Sequence, residues 1–321
     1  EASLLQVFRE AEFVATATSR SFYHTLEQEL PRLLAAPPQL DPRLLTYFLL
    51  GAVYFNAIGR AVWGLQHQPL PTVVELLLHG MAPAAAPPGL WRLPPELPEL
   101  PEPDLRAAKV EEGFRPISGG ELTRQRLLAA AEGLFGLLGY QECTISRITE
   151  AAPAGLGTFY LHFASKQELL AELVRGTREH LKRYVARGAA RAGHRLSAEV
   201  LGLRAFLRFL GRHGAMYRVV REAEFVEQQI GLGYYLDIAE GYRQSLAQGM
   251  AAGQVRELDP FSLGLALMGI GHFLGQRWGV EPGAPVPAPV QSAMVELCMR
   301  GVLGVAGGEP APGRPGEGEV P

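Results

Sequence analysis

The hexapeptide Arg9-Glu10-Ala11-Glu12-Phe13-Val14 recurs unchanged as Arg221-Glu222-Ala223-Glu224-Phe225-Val226, 212 residues later. At the same offset Phe22-Tyr23 meets Tyr234-Tyr235; at an offset of 218, Asp41-Pro42 meets Asp259-Pro260, Gly51 meets Gly269 and Phe55 meets Phe273. Trp63-Gly64 pairs with Trp278-Gly279, Val74-Glu75-Leu76 with Val295-Glu296-Leu297, and Gly80 with Gly301, the last two at an offset of 221. One hexamer can arise by chance. An ordered series whose offset drifts by a few residues is what loop insertions do to a duplicated domain. The chain therefore reads as two copies of one helical domain, about 1–81 and about 213–302. A unit at 121–212 precedes the second copy, so the repeat predicts a matching unit of about 90 residues upstream of Glu1.

Between the copies the composition changes. Residues 82–120, which include APAAAPPGLWRLPPELPELPEPD, are proline-rich and lack a helical apolar period, and are expected to form an extended linker. At ~3.1 Å per residue such a linker reaches roughly 120 Å, enough to let the copies pack on each other. The tail, 303–321, has little to bury and is expected to be disordered. Over the whole chain 47% hydrophobic and 20% charged residues suit globular domains. The net charge of −3 means that any nucleic-acid contact must come from a local patch. The two cysteines, Cys143 and Cys298, are too few and too far apart for a disulfide framework or a metal cluster, and no secretory signal opens the chain. A cytoplasmic location is expected. Leu44–Gly59 is strongly apolar but short of the roughly 20 residues a membrane span needs, and reads as a buried core or interface helix.

From Glu121 the helical period is clear. Leu127, Leu128, Ala131, Leu134, Phe135 and Leu138 mark an amphipathic helix, with Thr123 as its expected N-cap and Gly139 as its stop. Thr144 can cap a short second helix to Ala152. Pro153–Gly157 breaks it, a third begins near Thr158, and Ser165 caps a fourth that starts at Lys166. One long helix, two short helices joined by a tight turn and another long helix is the order of a helix-turn-helix unit, 121–170, whose second short helix enters the major groove. The stretch TRQRLLAAAEGLFGLLGYQECTISRITEAAPAGLGTFYLHFASKQELL resembles the N-terminal module of the tetracycline-repressor (TetR) family. The likeness rests on Leu-Gly-Tyr closing the first helix, a threonine-initiated second helix, Gly157-Thr158-Phe159-Tyr160, His162-Phe163 and Ser165-Lys166.

The resemblance implies an all-α protein: a TetR-like helix-turn-helix plus two copies of a helical ligand-binding and dimerisation domain, 1–81 and 171–302. It implies that Thr144 contacts a phosphate, that Thr158, Tyr160 and Lys166 lie at the DNA backbone with His162 beside them, and that Arg147, Gly155 and Leu156 belong to the same surface. Such contacts position a protein without specifying sequence. Where the family usually has Gly at the turn and then Val-Ser-Lys-Gly-Thr, this chain has Pro153-Ala154-Gly155-Leu156-Gly157-Thr158. A serine and a lysine are thus replaced by Gly155 and Leu156. Residues 121–170 hold Arg124, Arg126, Arg147 and Lys166 against Glu121, Glu132, Glu142, Glu150 and Glu168, a balance of 4 − 5 = −1. Weak DNA binding, or a ligand sensor that keeps the fold without binding DNA, is the rival reading.

In the second copy Tyr217, Arg221, Phe225, Tyr234, Tyr235 and His272 are the pocket candidates, with Glu222 as a further polar group, and the resemblance implies a small, largely apolar ligand. Gly264, Ala266, Gly269, Gly271 and Gly275 let the last helices approach closely. In this family these helices form the dimer interface, so partner contacts are expected to be operator DNA, the ligand, and either a homodimer or an intramolecular pseudo-dimer. No Gly-x-Ser-x-Gly, His-Glu-x-x-His, phosphate loop or spaced Cys/His set is present, so no catalytic residue, metal or cofactor is assigned and an enzyme is not expected.

Overall fold

The computed structural model describes residues 16–33, 40–92, 119–278 and 286–306, and every regular element among them is helical. In chain order these are α1 (Thr16–Leu33), α2 (Pro42–Ala61), α3 (Leu70–His79), α4 (Gly119–Leu138), α5 (Ile145–Ala151), α6 (Leu156–His162), α7 (Lys166–Ala189), α8 (Arg195–Val226), α9 (Gln228–Ala251), α10 (Pro260–Trp278) and α11 (Ala288–Ala306). The first hexapeptide, Arg9–Val14, most of the proline-rich segment (93–118) and the tail beyond Ala306 lie outside the described residues.

Helix α2 starts where its sequence directs. Asp41 Oδ1 accepts a hydrogen bond from the Arg43 amide at 2.8 Å, and Pro42 occupies the first turn, where no donor is needed. It is long and apolar enough to cross a membrane, yet 61% of its apolar window is buried, and its most extensive contact is with α10. The two helices touch at glycines. A Cβ on Gly51 would lie 2.5 Å from the Ile270 Cα, and one on Gly269 would strike the Gly51 carbonyl. Helices α3 and α11 meet in the same way. Gly80 and Gly301 adopt φ of 71° and 63°, and each passes against the other helix's backbone (Met299 and Leu78–His79) too closely for a side chain. The Met81 and Ala82 amides donate to the Cys298 and Met299 carbonyls at 2.9 and 3.0 Å.

Two cores result. One joins α4–α7 to α8 and α9 and includes Phe55 and Leu265; the other lies among α2, α3, α10 and α11 and takes in residues of α8 and α9.

Three expected boundaries shift. Residues 82–92 are not extended linker: Trp91 is buried, its Nε1 donates to Glu296 at 3.1 Å, and Leu90 O accepts from Ser197 Oγ at 2.5 Å. Burying an indole outweighs the extended preference of the prolines around it. Helix α4 begins at Gly119, so Thr123 is no N-cap; its hydroxyl donates back to the Gly119 carbonyl at 2.9 Å inside the first turns. Helix α7 runs unbroken through the expected domain boundary at 170, so head and ligand domain share one rigid rod.

Candidate DNA-reading head and ligand cavity

The head is assembled around Phe159 and Phe163. Both are buried, with ring centroids 5.7 Å apart, beside Ile148, Leu127, Ala131 and Phe135. Because Phe159 turns inward, Tyr160 and Leu161 must turn outward, and they are 55% and 83% exposed; Leu156 at the helix start is 50% exposed. Gly155 caps α6 and Thr158 N donates to its carbonyl at 2.9 Å, with the Thr158 side chain half-buried and His162 closing the helix, also half-buried. Thr144 caps α5, its Oγ1 accepting from Arg147 N at 3.3 Å, and Arg147 is exposed. Leu161 was not singled out from the sequence, although its place between Tyr160 and His162, two residues past buried Phe159, could have indicated it.

Lys166 does other work than a phosphate contact. Its Nζ donates to the carbonyls of Tyr140 and Cys143, both at 2.8 Å, and of Gln141 at 3.4 Å, and sits 4.3 Å over the Tyr140 ring. An ammonium has three protons, and here three carbonyls of the α4–α5 turn take them. The reason is positional: Ser165 caps α7 by accepting from Glu168 N at 3.1 Å while the Glu168 carboxylate accepts from Ala164 N at 2.6 Å, which aims the first-turn lysine back at that turn. Arg124 is likewise engaged, paired with Glu172 and lying 5.0 Å over the Phe163 ring. Of the four cationic residues counted in 121–170, Arg126 and Arg147 are the exposed ones.

A cavity of about 480 Å³ lies among α7, α8, α9 and α10. Its wall is mostly aliphatic and aromatic, including Val185, Leu203, Phe206 and Ile238, and Phe55 reaches it from α2. Of the six pocket candidates, Tyr217, Tyr234 and Tyr235 line it. Arg221 and Phe225 do not: they lie on α8 beyond the lining. His272 sits behind the wall, buried, with Nδ1 on the Tyr217 hydroxyl and Nε2 on Gln276. The sequence reading missed Arg195, Glu199 and Tyr242, which also line the cavity. Arg195 and Glu199 form an ion pair one helical turn apart, a spacing visible in the sequence. Burial raises the Glu199 carboxyl above its ordinary value despite Arg195. Burial likewise raises Tyr234 and Tyr235, each also affected by neighbouring phenols, so both hydroxyls stay protonated at physiological pH.

Glu222, read as a further pocket group, instead holds the head. Its two carboxylate oxygens accept from the Tyr140 amide, each at 2.9 Å, and Arg218 donates to the Gly136 carbonyl at 2.9 Å. Helix α8 departs from helical geometry at His213 (φ −118°, ψ 29°), and beyond this kink Ala215 packs on Gly136. One segment, 217–222, therefore lines the cavity at Tyr217 and grips the head at Arg218 and Glu222.

A three-helix reading unit with an exposed second short helix, carried on an all-helical body with an internal cavity, is the architecture of a ligand-binding transcription regulator. Residues 127–173 match the family model of bacterial regulatory proteins, tetR family, so this module is a TetR-type helix-turn-helix. Among solved structures it is similar to the TetR family transcriptional regulator PfmR from Thermus thermophilus, with 22% identity and a TM-score of 0.47, over 55% of this chain and 98% of the other. It is also similar to the fatty acid degradation regulator FadR from Bacillus halodurans (18%, TM-score 0.48, 57% and 95%). AibR in complex with isovaleryl coenzyme A and operator DNA is a third (14%, TM-score 0.46, 55% and 97%). No curated protein matches the chain.

Proposed function

We propose that the chain is a DNA-binding repressor released by a small, largely apolar ligand, and that its two copies form an intramolecular pseudo-dimer. The observation that carries the ligand response is the 217–222 segment of α8. A ligand that moves Tyr217 acts on the same turn and a half of helix whose Arg218 and Glu222 hold the Gly136–Tyr140 end of α4. Ligand and operator then weaken each other reciprocally, as linkage requires.

The pseudo-dimer reading draws on paired contacts. In a two-fold arrangement, a contact between i and j implies its mirror image. Tyr235 of the second copy packs on Phe55 of the first at 4.8 Å, and Tyr23, matched to Tyr235 by the repeat, packs on Phe273, matched to Phe55, at 5.9 Å. Tyr54 stacks on His272, its own counterpart at the offset of 218 (272 − 54), with ring centroids 5.3 Å apart. The face that the family uses for dimerisation, α10 with α11, is covered by α2 and α3 of the same chain.

A gel-shift titration on the DNA upstream of the chain's own gene, at 50 and 200 mM salt, tests the regulator reading. A folded protein that shifts no fragment at the lower salt would instead favour a sensor without DNA binding. Analytical ultracentrifugation tests the architecture: a species near 34.8 kDa is expected, and an obligate two-chain assembly would count against it.

A further inference from the structure

The first copy exposes apolar side chains at positions that the second copy buries. Leu70, Val74 and Leu78, spaced four apart along α3, are 70%, 40% and 38% exposed. Val53 on the neighbouring α2 is 46% exposed and Phe22 on α1 is 43% exposed. The repeat matches Phe22 to Tyr234 at an offset of 212, Val53 to Gly271 at 218, and Val74 and Leu78 to Val295 and Met299 at 221. Tyr234, Val295 and Met299 are only 2–3% exposed, and Gly271 is buried. The first half of α8 packs on this face. A Cβ on Gly271 would lie 3.3 Å from Phe206 and 3.5 Å from Leu203, while Val200 and Leu203 share a small void of about 30 Å³ with Val295 and Met299. Tyr234 and Gly271 also belong to the wall of the large cavity, which α7 and α8 complete. At the offset of 212, residue 213 of α8 matches residue 1, so the match to 195–212 falls at the positions just before Glu1. Apolar surface shared by adjacent helices in a soluble protein marks a place where something binds.

We propose that this face is the open half of a second ligand cavity, closed by a helical pair equivalent to α7 and the first half of α8 and encoded immediately upstream of Glu1. This rests on the duplicated-domain reading and on reading the first cavity as the effector site. The second wall has Phe22 where the first has Tyr234, and Val53 where the first has Gly271. The second cavity is therefore narrower and less polar, and takes a slimmer, wholly apolar ligand.

The test compares this chain with the chain extended through its upstream reading frame. Val53→Cys, Leu78→Cys and, as a control on the head, Leu137→Cys are made in both forms and labelled with iodoacetamide. Cys143 and Cys298 are buried and give the slow background. In the extended form labelling at 53 and 78 should slow about ten-fold or more, because it then waits on local opening, while labelling at 137 stays the same. The apolar dye N-phenyl-1-naphthylamine should bind this chain once and the extended chain twice. The proposal is overturned by an in-frame start codon directly before Glu1 or by equal labelling at 53 and 78 in the two forms. It is also overturned if labelling of this chain slows as its concentration rises, which would make the face a contact between chains. Protection with a single dye site overturns the second cavity. Absence of dye binding in both forms overturns the effector-site reading instead, and the labelling rates still decide what covers the face.

Discussion

Single residues set the limits of this fold where backbones crowd. Pro153 stands at φ 26°, in the left-handed region, just past the end of α5, where Ala154 N donates to Thr149 O at 3.0 Å. That bond is the longer of the two in a Schellman turn; the shorter needs the amide that proline lacks. The position suits glycine, and a residue held in such a region costs of order 1–3 kcal/mol. Pro153→Gly should therefore stabilise the head by about that amount, raising the denaturant midpoint, and an unchanged or lower midpoint would show the turn to be unstrained. Gly269 presents the opposite case. Its Cβ position is occupied by the Gly51 carbonyl, so Gly269→Ala should destabilise by ~1–3 kcal/mol or more through overpacking. Gly211→Ala, on α8 with nothing within 4 Å, should stabilise by roughly 0.5–1 kcal/mol. Equal effects at the two glycines in thermal unfolding would argue that α2 and α10 do not pack this closely.

At the scale of elements, the two lysine-and-arginine roles in the head separate cleanly. Lys166 ties the start of α7 to the α4–α5 turn, and hydrogen bonds from a charged donor are worth about 1.5–3 kcal/mol. Lys166→Met should lower the melting temperature and leave the salt dependence of DNA binding unchanged. Arg147 is exposed on α5 beside the capping Thr144, so Arg147→Ala should leave stability nearly intact and flatten the slope of log K against log salt by about 0.9. An interchange of the two phenotypes would return Lys166 to the DNA backbone. The outward face of α6 is unusual in the same light. Leu156, Tyr160 and Leu161 present apolar surface and one hydroxyl there rather than charge.

For the molecule as a whole, the packing of α2 on α10 is the decisive feature. Glu27 on α1 ties these two helices together, accepting from Arg277 Nε of α10 at 3.0 Å and from the Tyr47 hydroxyl of α2 at 2.8 Å. Burial alone would raise its carboxyl, but the hydrogen bonds from Tyr47 and Arg277 and the charges of Arg277 and Arg43 outweigh it and hold the group below its ordinary value of 4.5. A carboxylate depressed in the folded state contributes stability that is complete above 4.5 and is lost as pH falls through the folded value. Glu27→Gln should thus lower the melting temperature at pH 7, with the gap closing below about pH 4. A gap that persists unchanged to pH 3 would mean that Glu27 is not charged in the folded protein.

The helical periods, the Thr144 and Ser165 caps and the Gly157–Phe163 signature were enough to settle an all-α chain with a helix-turn-helix between 121 and 170, because each depends on neighbours within a few residues. The repeated letters also named the glycines that face each other, since close approach of two backbones permits nothing larger. What no local pattern contained was direction. Lys166 has the same sequence neighbours whether it meets a phosphate or the carbonyls of Tyr140 and Cys143, and only the path of α7 past the α4–α5 turn decides between them. Glu222 and Tyr217 lie within five residues of each other, yet one grips the head and the other walls the cavity, because opposite faces of α8 meet different helices. Trp91 and Phe55 belong to segments remote in the chain and find their partners through packing alone. Tertiary structure assigns these roles because a side chain's chemistry depends on what surrounds it, and the surroundings come from residues up to 250 positions away.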